Sequence, residues 1–326
     1  MRILVLTNMY PKSNELKIYQ GVFVKEQYEC LSKFKTVQVE IFVLKGKNFF
    51  TKYIISIFYI YKLINQGNFD IIHLHYGLSG LFIFFKFIFK NFPVLILTCH
   101  GSDLLNNTFT GRIVKLITIY IASKCDGIIC ISDDIKNIIC RSTSSIHYLP
   151  CGVNMSLFKP SKTNDNYFVF PGAKENKVKN FPFFVDILNS YKRLFSSSYS
   201  YKCLDGLNRY DAAKLIMNSS ALIMTSLREG SPQSIKEALA CDIPVISSDV
   251  GDVALLTKDL AGTYVFSENE NSHNIAKHVQ NCIVESQSTI GQRRARIEEL
   301  FLSNDDVCLR LLEIYKQLLK RKFQQN

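Results

Sequence analysis

Short apolar runs rich in Val, Ile and Leu alternate with amphipathic stretches along the first half of the chain. Runs such as RILVLTN (2–8), FDIIHLH (69–75) and PVLILTCH (93–100) contain few polar side chains, which is typical of strands covered on both faces of a parallel sheet. The pattern therefore predicts strands at 2–8, 37–44, 69–75, 93–100, 126–132 and 145–150, and helices at 21–34, 53–66, 78–91, 111–123 and 133–140.

A segment rich in Gly, Pro, Asn and Lys, 151–166, interrupts this alternation and predicts a linker. Beyond it the pattern resumes. It predicts strands at 167–172, 201–206, 221–226, 243–248 and 262–266, with helices at 181–194, 209–220, 231–241, 252–258, 270–286, 290–302 and at the end of the chain. Two Rossmann-like α/β halves fit this order better than one large sheet. Ligands of such sheets bind at the carboxyl ends of the strands, so two facing halves would form a cleft.

Length and composition agree with a globular chain of two domains. The 326 residues are 47% hydrophobic and 21% charged, with a formal net charge of +11. That charge favours anionic partners, namely phosphorylated ligands, nucleic acid or acidic lipid. The aromatic residues are not interleaved with Arg as in a nucleic-acid module, so we expect no nucleic-acid partner. The ten cysteines include no Cys-x-x-Cys pair, which indicates reduced, packing cysteines in a cytosolic protein.

Two apolar segments, 53–64 and 81–97, leave two interpretations open. The first is too short to span a bilayer, and the second is interrupted by Lys86, Lys90 and Pro93. They could be buried α/β elements. Alternatively, their lysine-bearing aromatic faces could rest on a membrane surface.

The stretch REGSPQSIKEALACDIPVISSDVGD (228–252) contains the first candidate chemistry. A strand is predicted before it, and Ser231 is expected to cap a helix whose first position is Pro232. The unpaired N–H groups at a helix start attract phosphate. Glu229 and Glu237 could each accept two hydrogen bonds from vicinal hydroxyls of a sugar or ribose. The alternative is ordinary helix punctuation, because acidic residues near a helix N-terminus are favourable without any ligand.

Two carboxylates beside a diphosphate would need nearby cations. The loop PGAKENKVKNFP (171–182) supplies lysines at the end of the first strand of the same half. A lysine-rich loop is usually a solvated surface. Next to Glu229, the helix start and Gly251, it becomes a candidate phosphate clamp.

Four motifs in the right order resemble those of the family 4 retaining glycosyltransferases, which have the two-domain GT-B fold. The resemblance spans nearly the whole chain. The four segments are GVFVKEQ (21–27) for the N-terminal Gly-rich loop, LTCHGSD (97–103) for the His-Gly loop, LPCGVNMSLFKP (149–160) for the interdomain segment and residues 228–252 for the Glu-x7-Glu signature. On this basis we expect an acceptor domain at 1–160, a donor domain at 161–308 and a last helix, 305–326, that returns to the N-terminal domain.

The resemblance implies transfer of a hexosyl group from a UDP- or GDP-sugar to a hydroxyl, with retained anomeric configuration and without a metal or a cofactor. Carried over position by position, Glu229 would bind the donor sugar, Lys179 would contact the diphosphate and His100 would lie near the reacting sugar and the acceptor. Glu237 would hold the ribose hydroxyls. The remaining binding residues would be Gly21, Gly172, Lys174, Gly230 and Ser231.

The setting that the resemblance implies is bacterial surface-polysaccharide synthesis (capsule, exopolysaccharide or O-antigen). The acceptor would be a saccharide, free or lipid-linked, and the enzyme would be cytoplasmic or peripheral at the inner face of the membrane. Several positions depart from the family pattern. Ala173 follows Gly172 where many members have Arg, Cys151 precedes Gly152 where Asn is common, and the segment around 195–208 is short. These departures leave three alternatives open, namely weaker donor binding, an unusual donor and an inactive enzyme.

Rival interpretations concern both residues and function. His73 and His75 share one strand face; a zinc site would need a third ligand, so lining the acceptor side is the better interpretation of His75. Asp103 could orient His100 or an acceptor hydroxyl, or only cap a helix. A hydrolysing sugar-nucleotide epimerase and a non-catalytic sugar-nucleotide-binding protein could share the architecture. A dehydrogenase is disfavoured, since no Gly-x-Gly-x-x-Gly follows the first strand.

Overall fold

The computed structural model describes residues 1–11, 21–88, 92–140, 145–161 and 163–325. These residues form two compact units. The first unit combines residues 1–11 and 21–152 with the last helix, from Asp305 onward, and the second extends from Val153 to Asn304. Each unit is built around its own parallel sheet, so the predicted pair of Rossmann-like α/β domains is confirmed.

The sheet of the first unit has six parallel strands in the order β2-β1-β3-β4-β5-β6. Apart from the α-helix predicted at 78–91, the predicted strands and helices are present, with ends that shift by a few residues. The strands are β1 (Arg2–Thr7), β2 (Gln38–Val43), β3 (Ile71–His75), β4 (Val94–Cys99), β5 (Gly127–Cys130) and β6 (Ser145–Tyr148), and the helices are α1 (Val22–Leu31), α2 (Ile55–Gly67), α3 (Phe109–Ala122) and α4 (Asp133–Ile139).

Burial follows the apolar runs that predicted this sheet. Every residue of β3 and of β4 is buried, as expected for central strands covered by helices on both faces. The edge strand β2 instead has only exposed and half-buried positions. The hydrophobic core of the unit therefore lies along the middle of the sheet, between the strands and the helices that connect them.

The connection between β3 and β4 differs from the prediction. An α-helix was expected at 78–91, but residues Gly77–Ile88 form a 3-10 helix with a kink at Phe85, and residues 89–91 lie outside the described part of the chain. The segment packs closely on α3. A methyl group on Gly80 would come within 2.6 Å of Ile121, so the glycine allows this close approach. A π-helical turn, Phe50–Ile54, precedes α2.

The sheet of the second unit has five parallel strands in the order β11-β10-β9-β7-β8. Phe168, Phe170, Phe184 and Tyr191 fill its core together with aliphatic side chains. The strands are β7 (Tyr167–Phe170), β8 (Ser200–Cys203), β9 (Ala221–Met224), β10 (Val245–Ser248) and β11 (Thr263–Phe266), and the helices are α5 (Phe181–Phe195), α6 (Arg209–Met217), α7 (Gln233–Ala240), α8 (Val253–Thr257), α9 (Ser272–Ser288) and α10 (Gln292–Glu299).

The last helix, α11 (Asn304–Gln325), packs on the sheet of the first unit. Tyr315 is fully buried there and bonds to His73 of β3, and Leu318 lies against Gly127 of β5. All ten cysteines are free thiols, most of them buried, as the sequence predicts. Among the described residues, no helix combines the length and the apolar character that crossing a bilayer requires.

Candidate active site

In the second sheet, β7 lies between β8 on one side and β9 on the other, so the strand order reverses its direction at β7. Such a reversal opens a crevice at the carboxyl ends of the two strands, and ligands of parallel sheets bind there. The loops at this point are 171–180 after β7 and 225–232 after β9. Most of the residues predicted to bind the donor, including Lys179 and Glu229, lie in these two loops.

Lys179 and Glu229 form an ion pair across this switch point. The Lys179 Nζ donates to Glu229 Oε1 at 2.7 Å. Two further bonds tie the loops together: the Thr225 hydroxyl donates to the Lys179 carbonyl, and the Leu227 N–H donates to the Val178 carbonyl. The lysine and glutamate side chains keep 19% and 20% of their surface exposed. The pair is therefore fixed in place by the loop backbones and still accessible to a ligand.

Gly172 lies against the alkyl chain of Lys179. A methyl group on Gly172 would lie 2.9 Å from Lys179 Cγ and 3.3 Å from its Cδ. Distances this short require the lysine to move. The glycine thus has a specific effect here, because it lets the lysine side chain run back across the loop toward Glu229.

The start of α7 differs from the prediction for Ser231. We expected Ser231 as the N-cap and Pro232 as the first helical residue, but the helix begins at Gln233 and Pro232 is its N-cap, without a side-chain capping bond. The Ser231 hydroxyl instead donates to Asp252 Oδ2 at 2.6 Å. Burial raises the pKa of the Asp252 carboxyl, more than its neighbours lower it. Ser231 therefore links the loop after β9 to the loop after β10.

The same two loops also approach each other through their backbones. Gly251 has a φ of +61°, and a methyl group there would collide with the Gly230 carbonyl. Only glycine adopts this conformation without strain and leaves room for the neighbouring carbonyl. The predicted binding residue Gly230 is thus held next to Gly251 of the SSDVGD motif.

Glu237 lies on α7 and is almost completely buried in an ion pair with Arg209. The Arg209 Nη1 donates to Glu237 Oε1 at 2.5 Å, and the two side chains are 17% and 3% exposed. The Arg209 guanidinium also lies over the Phe158 ring, 4.4 Å from its centroid. Arg209 therefore supplies a charged partner to a buried carboxylate.

Arg209 is the residue that sequence reasoning missed. It stands at the first position of α6, 28 residues before Glu237 in the chain, and no short motif links the two. A signal was present but weak. The chain lacks the family's Arg after Gly172, and Arg209 stands at the start of the helix predicted for 209–220.

Lys174 makes other contacts than the ones predicted for it. Its ammonium donates to the Tyr201 hydroxyl at 3.1 Å and lies over the rings of Phe181 and Tyr201. The bond to Tyr201 raises the pKa of Lys174. In this conformation Lys174 is an exposed cation on an aromatic platform, whereas Lys179 contacts Glu229.

In the first unit, His100 and His75 meet at the carboxyl ends of β4 and β3. His75 Nδ1 lies 2.9 Å from His100 Nε2, so one ring donates an N–H hydrogen bond and the other ring accepts it. The Phe23 ring packs on His100 with centroids 4.6 Å apart. Gly21 has a φ of +82° and lies directly against the backbone of Met9. In this sheet β1 lies between β2 and β3, so the strand order reverses its direction at β1. The carboxyl end of β1 is therefore the switch point of the first sheet.

His73 is next to His75 on the same strand face, as predicted, with ring centroids 4.4 Å apart. Both of its ring nitrogens are hydrogen-bonded inside the protein, Nδ1 to the Tyr315 hydroxyl at 2.6 Å and Nε2 to Thr98 Oγ1 at 2.7 Å. Burial lowers the pKa of His73 and of His100, and it lowers the pKa of His75 to about 3. All three rings are therefore neutral at physiological pH.

Asp103 positions the backbone around His100. Its buried carboxylate accepts hydrogen bonds from the N–H groups of Gly77, His100 and Gly101. Burial raises the pKa of this carboxyl to about 6, although the three N–H groups act in the opposite direction. Throughout the described ranges, no group of three or more His, Cys, Asp or Glu side chains is arranged to hold a metal ion.

Two family models match the chain. The model "Glycosyltransferase Family 4" matches residues 6–157, and the model "Glycosyl transferases group 1" matches residues 200–299. The first match covers the sheet with the histidines. The second covers Arg209, Glu229 and Glu237.

The chain is also similar to individual glycosyltransferase sequences and to solved structures. The chain is 25% identical to an uncharacterized glycosyltransferase of Methanocaldococcus jannaschii, over 82% of this chain and 81% of that one. It is 21% identical, over 66% and 67%, to an Escherichia coli galactosyltransferase, "UDP-Gal:alpha-D-GlcNAc-diphosphoundecaprenol alpha-1,3-galactosyltransferase". Sucrose-phosphate synthase of Thermosynechococcus elongatus has a TM-score of 0.78 at 15% identity, covering 98% and 99%. Anabaena HepE in complex with UDP-glucose has a TM-score of 0.70 at 12% identity, covering 97% and 100%.

The structural likenesses show the fold, and each of the two family models covers most of one unit. Both agree with the two parallel-sheet units and with the loops at their switch points. The chain is a glycosyltransferase of the GT-B fold and belongs to the family 4 and group 1 glycosyltransferases.

Proposed function

We propose that this glycosyltransferase moves a hexosyl group from a nucleotide-diphosphate sugar to a hydroxyl acceptor with retention of the anomeric configuration. The observation that carries the proposal is the ion pair between Lys179 and Glu229 at the switch point of the second sheet. A carboxylate and an ammonium at one place can bind both parts of such a donor. The carboxylate accepts bonds from sugar hydroxyls, and the ammonium neutralises the diphosphate.

The reaction breaks the bond between the anomeric carbon and a phosphate oxygen. The new bond to the acceptor oxygen forms on the same face of the sugar, and the acceptor proton leaves with the diphosphate. Negative charge grows on the leaving group as the first bond breaks. Lys179 is the side chain we place beside that charge, with the backbone of Gly230 and the start of α7 as neighbouring donors. No metal or cofactor enters this scheme.

We assign the nucleotide end of the donor to Glu237 and its partner Arg209. Glu237 would accept the ribose hydroxyls with the carboxylate that pairs with Arg209. That carboxylate is almost completely buried in this structure, so donor binding has to expose it. HepE has been solved in complex with UDP and with UDP-glucose, and the name of the Escherichia coli relative specifies UDP-Gal and a diphosphoundecaprenol acceptor. These two proteins favour a UDP-sugar as donor and a lipid-linked saccharide as acceptor. Surface-polysaccharide synthesis at the inner face of the membrane is the setting that the family resemblance implies for this reaction.

The test begins with a thermal-shift screen of UDP- and GDP-sugars on the full chain, followed by hydrolysis and transfer assays with the donor that binds. Lys179→Ala should lower turnover at least about a hundredfold, which is the usual effect of removing one preorganised charge donor. Lys192→Ala, an exposed lysine of α5, is the control and should retain normal turnover. Near-normal rates for Lys179→Ala would refute the diphosphate role.

Glu237→Ala separates binding from chemistry. It should weaken donor affinity about tenfold or more, because the ribose would lose a charged hydrogen-bond partner. Unchanged affinity would remove the ribose contact from the proposal. Product analysis without any acceptor distinguishes the rival functions: a hydrolysing epimerase would release an inverted free sugar, and a non-catalytic binding protein would bind donor without turnover.

A further inference from the structure

Three neighbouring elements of the first unit expose large apolar side chains to solvent. They are the π-helical turn with α2, the 3-10 helix Gly77–Ile88 and the outer side of α3. On α3 the exposed residues recur at helical spacing and so form one stripe. We call this surface the aromatic face; its members are Phe49, Phe50, Ile55, Phe58, Tyr59, Tyr61, Phe84, Phe85, Phe87, Ile88, Phe109, Ile113, Leu116 and Tyr120.

The members of the aromatic face are joined to one another. A groove of about 350 Å³ runs between α2 and the 3-10 helix, lined by Ile54, Ile57, Phe58, Tyr61, Phe82, Phe85 and Ile88. On the other side of the 3-10 helix, the Phe84 ring stacks on Tyr120 of α3 with centroids 4.9 Å apart. Large connected apolar surfaces are rare on monomeric proteins and indicate an interaction site.

Basic side chains predominate in the part of the chain that forms the aromatic face. The described residues of 41–126 include eight basic side chains and three acidic ones; the basic residues are Lys45, Lys47, Lys52, Lys62, Lys86, Arg112, Lys115 and Lys124, and the acidic ones are Asp70, Asp103 and Asp126. Asp103 is buried. Asp70 stands before β3, at the amino end of the sheet, and accepts a bond from the Arg2 N–H. Asp126 is exposed and accepts a bond from the Leu95 N–H, also at the amino end of the sheet. Apolar surface with a predominantly basic surround matches an anionic lipid surface.

We propose that the aromatic face docks the protein on an anionic bilayer, with its Phe and Tyr rings at the level of the headgroups and its lysines on the lipid phosphates. The long stems of lysines can lie along apolar surface while their ammonium groups reach phosphate. A second copy of this chain is a poorer occupant, since pairing two such faces would bring like charges together.

The inference goes beyond the transfer reaction and depends only on the surface of the first unit. The 3-10 helix of the aromatic face begins at Gly77, two residues after His75. A lipid surface bound there would therefore lie close in the chain to the histidine pair of the candidate site. Failure of the docking would leave the assignment of Lys179 and Glu229 unaffected.

The experiment measures sedimentation of the full-length protein with vesicles of phosphatidylcholine mixed with phosphatidylglycerol, and with vesicles of phosphatidylcholine alone. We expect binding to the mixed vesicles, with at least about tenfold weaker binding to the neutral ones and a loss of binding as salt increases. Phe87→Ser with Leu116→Ser should reduce binding at least about tenfold, since each change removes an apolar side chain from the contact. Both residues are exposed, so the fold should remain intact.

Matched controls come from the second unit. Ile290→Ser with Val284→Ser changes side chains that are 80% and 54% exposed outside the aromatic face, and binding should stay as in the wild type. Lys62→Glu with Lys124→Glu should abolish the preference for anionic vesicles, whereas Lys214→Glu with Lys277→Glu should not. Circular dichroism and melting curves verify that all variants are folded.

Three outcomes would overturn the proposal. The first is binding that is the same on neutral and anionic vesicles. The second is an equal loss in the aromatic-face and control variants. The third is a concentration-dependent dimer in analytical ultracentrifugation that Phe87→Ser with Leu116→Ser converts to monomer, because the occupant would then be a second copy of the chain.

Discussion

Breaking the Arg209–Glu237 pair should destabilise the second unit far more than an ordinary salt bridge would. Glu237 is 3% exposed, so Arg209→Met would leave a carboxylate with almost no access to water. Removing one partner of a buried pair costs about 3–5 kcal/mol. Arg209 keeps 17% of its surface exposed, which lets some water reach the site and places the expected cost at the lower limit, about 3 kcal/mol.

The reverse substitution should be milder, and the pair should be coupled. Glu237→Gln removes the buried charge and keeps a carbonyl oxygen that can accept from Arg209, so we expect a cost of about 1 kcal/mol. In Arg209→Met with Glu237→Gln no charge is left buried. The double variant should therefore be more stable than the sum of the single effects predicts, by about 1–2 kcal/mol.

The assay is amide hydrogen exchange measured by mass spectrometry on the full-length protein, read on peptides from α6 and α7 for the Arg209–Glu237 pair and on peptides from β1 and β2 for the control pair. Local readout is needed, because two units need not unfold in one step. Arg2→Met is the matched control, since Arg2 pairs with Glu40 at 3.1 Å but both side chains are well exposed; such pairs contribute about 0–1 kcal/mol. An effect of Arg209→Met no larger than that of Arg2→Met, or the absence of coupling, would refute the reasoning.

Two further substitutions test other contacts. Gly172→Ala should lower turnover about tenfold with little change in melting temperature, because its methyl group displaces the Lys179 side chain; wild-type turnover at saturating donor would contradict this. Asp103→Asn should become relatively more stable than the wild type as pH rises from 4 to 6, by up to about 3 kcal/mol. In the wild type, the raised pKa of about 6 makes folding favour the protonated carboxyl, and this contribution is lost as pH rises through that window. Melting curves of both proteins across that range measure the difference.

The sequence was sufficient for the sheets because their central strands are buried on both faces. In β3 and β4 every position had to be apolar or internally bonded, so the runs stood out against the amphipathic helices. The ends of the elements were less certain. The start of α7 depends on whether Ser231 bonds to a helix N–H or to Asp252, and that choice is made by a loop 21 residues away.

The remaining differences also come from tertiary contacts. The composition of Gly77–Ile88 predicts an α-helix, but the segment forms a 3-10 helix. Its close contact with α3 through Gly80 cannot be recognised from the local sequence. Arg209 was not predicted for the same reason. It becomes a candidate site residue only through its ion pair with Glu237, which lies on another helix. Local patterns determine elements, whereas pairings between elements need the fold.

The side-chain charges of each unit indicate which substrate of the proposed reaction that unit serves. The histidines of the first unit are neutral, since burial lowers their pKa values well below the ordinary range. A neutral His100 can exchange hydrogen bonds with hydroxyl groups but cannot offset a departing diphosphate. That charge must be met in the second unit, where Lys179 and Arg209 are the cations paired with Glu229 and Glu237. A substitution in the histidine pair should therefore alter use of the acceptor, whereas one in either ion pair should alter use of the donor.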